Sequence, residues 1–252
     1  MTLSAVHPQL VWLMIAMAVM SWVGTTLLTA PYGRHAREGW GPSIPQRWGW
    51  LIMESPAVVV FAAVYATGPF RASPGSIALL ALWMSHYVHR AFVWPFRMRS
   101  PDRPMPASIA AMAFGFNVVN ALVQAGQIAH VNGFGRMWMY DPHFIAGVAL
   151  FVAGEAINHH ADAVLLALRR PGETGYRVPY GGLYRWVSCP NYLGELLAWT
   201  GWAVATWTFA GAAFALFTAA NLVPRARAHH RWYRETFPDY PPERAAILPG
   251  LW

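Results

Sequence analysis

Lysine is missing altogether: all 18 basic residues are arginine. Codon bias accounts for that by itself, yet arginine also grips phosphate oxyanions in two-point fashion, which lysine cannot. Cysteine is nearly missing too, and the single Cys189 excludes an internal disulfide and a four-cysteine zinc site. Charge is scarce, at 12% of residues against roughly 25% in a soluble domain. No GxGxxG follows a strand-like run, which excludes the usual soluble dinucleotide domain but not a cofactor held by helices. No module for reading bases is present, so the net charge of +7 is assigned to a membrane surface and not to nucleic acid. No cleavable leader is evident: the first apolar run is long and lacks a basic stretch before it, so it is expected to stay in the mature chain.

What the chain does have is apolar length. Hydrophobic residues make up 56% of its 252 positions, and several runs approach the roughly 20 residues that cross a hydrocarbon core. The expected fold is all-α: a polytopic membrane protein, a seven-transmembrane helix bundle forming one domain over residues 1–252. The spans are expected near residues 10–28, 51–66, 77–96, 107–129, 144–168, 192–206 and 208–222, followed by an amphipathic, basic tail over 223–252. The last two are short, which predicts a hairpin around Trp207–Gly211. Arginines crowd alternate loops: Arg34, Arg37 and Arg47, then Arg97, Arg99 and Arg103, then Arg169 to Arg185, then the tail. The other loops keep only Arg71 and Arg136. The positive-inside rule then puts the N-terminus outside and the C-terminus in the cytoplasm.

Polar residues inside the apolar runs are the informative minority, because ionisable groups in a bilayer must face protein or water. Glu155, Asn158 or His159, and Asp162 share one helix face, and Arg169 extends it. Glu54 lies within an otherwise apolar run, where a carboxyl would be expected to stay protonated and donate a hydrogen bond; the bland alternative is a carboxylate facing a helix dipole. Tyr87 sits among His86, His89 and Arg90. Arg90 either needs a partner at that depth or snorkels to the interface. Asn117, Asn120, Gln124 and Gln127 repeat at helical spacing, as interhelical glue or as the lining of a polar pocket. The Gly-, Pro- and Trp-rich loop after the first span is either a surface loop on the headgroups or a lid.

These residues suit three chemistries unequally. HxxH at His86/His89 and the pairs His159/His160 and His229/His230 look superficially like metal boxes, but neither an HxxHH cluster nor a repeated ExxH spacing accompanies them, so no metal is expected. A soluble Rossmann enzyme is excluded above. The third is a cofactor pocket among the inner helix ends, from Asn158, Asp162, Arg169, Tyr176, Arg177, Asn191, Glu195, Arg225, His229 and Tyr233. This set offers arginines for phosphates, carboxylates for ribose hydroxyls and tyrosines for ring contacts. Glu54 and Tyr87, in apolar surroundings, would be the chemical end for an apolar substrate with one carbonyl.

The stretches PYGRH, ESP, HYVHR, NHHAD, LRRPGETGYRVPYGGLY, VSCPNYLGE and HHRWYRETFPDYP carry a resemblance over nearly the whole chain. The sequence resembles the membrane steroid 5α-reductases (3-oxo-5α-steroid 4-dehydrogenases), and looks like a bacterial member, which implies an inner-membrane location. The resemblance implies NADPH-dependent reduction of the double bond conjugated to the ketone of a 3-oxo-Δ4-steroid or steroid-like lipid. It implies catalytic roles for Glu54 and Tyr87, a substrate surface formed with Trp50 and Met53, and cofactor contacts from the ten residues of the inner helix ends. A monomer is expected. Met53 departs from the glutamine common before the glutamate in the animal enzymes. Isoprenylcysteine methyltransferases share features toward the C-terminus, sterol, enoyl and polyprenol reductases share the cofactor half, and a lipid-binding scaffold protein would use polar stripes only as glue. These readings stay open at this point.

Overall fold

The structure is a computed structural model that describes residues 2–29, 31, 33–35, 37–168, 170, 173 and 175–250. Its helices are α1 (Leu3–Leu27), α2 (Gln46–Thr67), α3 (Pro74–Val88), α4 (Trp94–Arg97), α5 (Ala107–Gly126), α6 (Pro142–Ala167), α7 (Pro190–Thr206) and α8 (Phe209–Thr236). Among the described residues five helical runs are long and apolar enough to cross a membrane: α1, α2, α5 with its extension to Val131, α6 and α8. A wider π-type turn, His89–Val93, joins α3 to α4 without a break, and α7 is 17 residues long.

Local chemistry sets the helix ends. Proline stands at the first turn of α3, α6 and α7, where its missing N–H costs nothing. Asp141 caps α6 by accepting from His143 N at 2.8 Å, and Thr208 caps α8 by accepting from Gly211 N at 3.1 Å. The expected hairpin is present: Trp207 closes α7 in the left-handed region at φ 49°, and α8 starts two residues later. The last expected span and the tail divide differently from the sequence expectation. α8 continues through Pro224 to Thr236 as one helix, and the chain then folds back, burying Tyr240, Ala246 and Ile247. Ser188 N and Cys189 N donate to Ala245 O and Ala246 O there, so the tail is packed and not a separate surface helix. The buried Cys189 thiol is pushed up to about 12 by burial, with Arg34 and Arg225 opposing. It is a packing residue.

The α6–α7 pair decides where the polar groups meet. Gly147 and Gly154 on α6 face Gly201 and Gly194 on α7. A Cβ on Gly154 would fall 2.4 Å from Ala198 N, and one on Gly194 2.6 Å from Gly154 O. Small residues in register let two backbones touch, the usual solution for helices in lipid. Asn158 and Asp162 are thereby pressed against Asn191 and Glu195. Gly154→Val must push the backbones apart. Its cost is expected to exceed the roughly 1–3 kcal/mol of ordinary overpacking, seen as lost folded yield and a lower melting temperature in detergent.

The loops gather at one end of the molecule. A two-stranded antiparallel pair, β1 (Ser43–Pro45) and β2 (Pro104–Pro106), sets Ile44 opposite Met105. Arg99 Nε donates to Leu166 O at 3.0 Å, and Arg103 donates to the Tyr176 hydroxyl. Three arginine-bearing loops therefore share the end that the tail also covers.

Candidate active site

The innermost group lies between α2, α3 and α5. Asn117 Nδ2 donates to Met53 O at 2.7 Å and to Glu54 Oε2 at 3.2 Å. Asn120 Nδ2 donates to the Tyr87 hydroxyl at 3.4 Å. Asn117 and Asn120 are one turn apart on α5, so Glu54 and Tyr87 are held by the same stretch of that helix. Because Asn120 donates, the Tyr87 hydroxyl proton is left to point elsewhere. Among the described residues the buried Asn120 Oδ1 has no hydrogen-bond partner. Trp83 and Trp199 hold the Tyr87 ring at centroid distances of 4.6 and 5.4 Å. The polar repeat on α5 thus splits in two. Asn117 and Asn120 line the site, whereas Gln124 is glue, donating to Ala210 O and accepting from Trp202 Nε1, both at 2.8 Å.

Arg90 connects this group to the next. It does not snorkel away. Its Nη2 donates to Glu195 Oε1 at 2.9 Å and its Nη1 lies 3.6 Å from Asp162 Oδ2. Its guanidinium covers the Trp50 ring at 4.7 Å and the Trp94 ring at 5.8 Å. Asn158 Nδ2 donates to Asn191 O at 3.0 Å and to Glu195 Oε1 at 3.5 Å. Asn158, Asp162, Asn191, Glu195 and Trp50 are therefore one connected set with Arg90 at its centre. The π-type turn holds Arg90 in place, a distortion frequent at functional sites.

A second compartment lies under the loops. Arg34 is wedged among three rings, with its Cζ 5.2 Å from the Tyr176 centroid, 4.7 Å from Trp232 and 4.5 Å from Tyr233. Its buried Nη1 has no hydrogen-bond partner among the described residues. His229 bonds His35 at 3.1 Å through Nδ1 and Tyr192 at 3.0 Å through Nε2. Burial and the charges of Arg34, Arg225 and Arg37 push the His35 imidazole down to about 4, so it is neutral at ordinary pH. Arg225 lies over the Tyr192 ring at 5.5 Å.

Tyr176, Arg225, His229 and Tyr233 thus come together here as a set. Arg177 does not join them: it is exposed and pairs with Glu173 at 3.3 Å. Arg169 lies outside the described residues. Arg34, His35, Arg90 and Arg103 were absent from the sequence-derived cofactor set, although PYGRH and HYVHR contain three of the four. A cation that stacks on aromatics from three distant segments has no signal in local spacing.

Polar groups enclosed by helices long and apolar enough to cross a membrane, beside a compartment of arginines and tyrosines, place this chain in the class of polytopic membrane proteins with a polar interior site. Comparison with known proteins narrows the class. Residues 103–252 match the family model described as 3-oxo-5-alpha-steroid 4-dehydrogenase. The chain is 41% identical over 240 residues to "Steroid 5-alpha-reductase DET2" of Gossypium hirsutum, covering 93% of each. It is 40% identical over 223 residues to "3-oxo-5-alpha-steroid 4-dehydrogenase 1" of Homo sapiens, covering 87% of this chain and 85% of that one. The chain belongs to the 3-oxo-5-alpha-steroid 4-dehydrogenase family.

Proposed function

We propose that this chain reduces the Δ4 double bond of a 3-oxo-Δ4-steroid to the 5α-reduced 3-oxosteroid, with NADPH as reductant. The observation that carries this reading is that Asn117 and Asn120, one turn apart on α5, bond Glu54 and Tyr87 respectively, beside the Arg90–Glu195–Asp162 network. The ketone oxygen sits between the Glu54 carboxyl and the Tyr87 hydroxyl, which stabilise negative charge as it develops there. Trp50 and Met53 bound the substrate on the α2 side. NADPH supplies the hydride to the carbon β to the ketone when it is bound.

The donor set fits such a cofactor. Among the described residues the buried Arg34 Nη1 has no hydrogen-bond partner, and a phosphate oxygen would satisfy it; Tyr176, Trp232 and Tyr233 offer ring faces. Arg225, His229 and Tyr192 extend that surface, and Asn158, Asn191, Asp162 and Glu195 offer amides and carboxylates nearer Glu54 and Tyr87. On this reading α3 through α4 and α7 cross the membrane together with the five longer helical runs, giving seven spans. The loop end is the cytoplasmic side, the N-terminus lies outside, and a monomer in a bacterial inner membrane is the working state.

Purified protein in detergent is expected to oxidise NADPH in the presence of a 3-oxo-Δ4-steroid, and to use NADH far less well. NADPH, and not S-adenosylmethionine, is expected to raise its melting temperature. Equal turnover with both nucleotides, or stabilisation by S-adenosylmethionine alone, would count against the assignment.

A further inference from the structure

His86, His89, Glu155 and His159 have no part in the chemistry above. His86 is buried, with its ring edge-on to Tyr87 at 4.9 Å and to Trp199 at 4.7 Å. Its Nδ1 lies 2.8 Å from Glu155 Oε1, its one hydrogen bond among the described residues. The other carboxylate oxygen of Glu155 lies 3.5 Å from His159 Nε2, one turn further along α6. The His159 ring meets His89 edge-on at 4.5 Å. His89 and His159 line a cavity of about 390 Å³ with Trp94, Arg97 and Asp162. Side-chain exposure falls from 44% at His159 to 14% at Glu155 and 7% at His86. Titratable groups therefore step from the open cavity to the face of Tyr87.

Packing does not require this. A buried carboxylate between two imidazoles carries a desolvation cost that an apolar residue at the same place would avoid. We propose that His159, Glu155 and His86 form a proton path from the cavity beside His89 to the Tyr87–Glu54 pair. The inference rests on the reading above, because reduction of a conjugated double bond consumes one proton with each hydride. Trp83, Trp199 and Phe151 close the apolar side, and water must contribute the proton from elsewhere. His86 releases a proton, which passes through the Tyr87–Glu54 pair and ends in the new C–H bond at the carbon α to the ketone. Glu155 accepts a proton from His159 and returns one to His86, and His159 takes one from water in the cavity. Each side chain ends at its starting charge, and one water-derived proton is consumed. The charged groups around the path are Arg90 and Arg97 on the His89 side, Asp162 on α6, Glu54 on α2 and Glu195 on α7.

Glu155→Gln keeps the shape and cannot carry the proton. With saturating NADPH and steroid, kcat is expected to fall about 10- to 100-fold, at the low end of acid–base contributions. The solvent deuterium isotope effect should rise, the pH profile of kcat should shift, and added imidazole should restore part of the rate. In cofactor-free protein, nitrogen NMR of labelled histidine should show the His86 Nδ1 signal moved by the same substitution, because that nitrogen faces Glu155 Oε1. An unchanged kcat, pH profile and isotope effect in Glu155→Gln would overturn the path. If that variant does not fold, His159→Gln at the exposed end takes its place with the same expected signature, and unchanged values there overturn the path equally. A wild-type protein that reduces no 3-oxo-Δ4-steroid defeats the proposed function, whereas an active wild type with an indifferent Glu155→Gln defeats only the path.

Discussion

Tyr87→Phe and Glu54→Gln are each expected to lower steroid turnover by about 10²–10³, the usual cost of one lost oxyanion donor, while the protein still folds. The ring of Tyr87 stays where Trp83 and Trp199 hold it, so phenylalanine removes only the hydroxyl. Asn120 Nδ2 loses an acceptor at 3.4 Å, a small structural penalty. Glutamine at position 54 can keep the bond from Asn117 but presents an amide where a carboxyl proton is needed. KM for the steroid should change much less than kcat, because both groups act on charge that appears only in the transition state. The double variant should be less than multiplicatively worse, since the two share one oxygen. Two near-normal single variants would remove the acid–phenol pair from the mechanism.

The second large effect belongs to stability. Arg90→Met is expected to cost about 3–5 kcal/mol, the typical result of removing one partner of a buried ion pair. The methionine fills the space over Trp50, but Glu195 and Asp162 are left facing each other without a cation. Adding Glu195→Gln and Asp162→Asn should recover much of the loss, because replacing all the charges is far milder than stranding two. Thermal melts in detergent test both statements. If the single variant melts like wild type, the guanidinium is not holding the carboxylates. The triple variant should fold and still lack activity, which separates the structural role of the network from its proposed place beside the cofactor.

Local sequence made part of this site legible. An ionisable residue inside an apolar run has few acceptable environments, so Glu54, Asp162 and Glu195 could be singled out without coordinates, and helical spacing put Asn158 with Asp162 and Asn191 with Glu195. The hairpin at Trp207 followed from two short apolar runs in succession. The parts that were not legible depend on distant partners. Arg90 had two outcomes by sequence, and α6 and α7 chose between them by bringing Asp162 and Glu195 to it. Arg34 lies in a glycine-rich loop, and its importance comes from Tyr176, Trp232 and Tyr233, far along the chain. Arg177 looked equivalent to the other arginines of its loop and instead pairs outward with Glu173. The histidine pairs resembled metal boxes in isolation, but the helices interleave His86, Glu155 and His159 into a line.

The chain's composition alone determined its class, its helical content and the depth of its rarest side chains, because a hydrocarbon solvent punishes every exposed polar group wherever it sits in the order of residues. Pairing was decided only by tertiary structure. Which carboxylate meets which guanidinium depends on how closely α6 and α7 approach, and that distance is set by glycines facing each other across an interface that no single stretch contains.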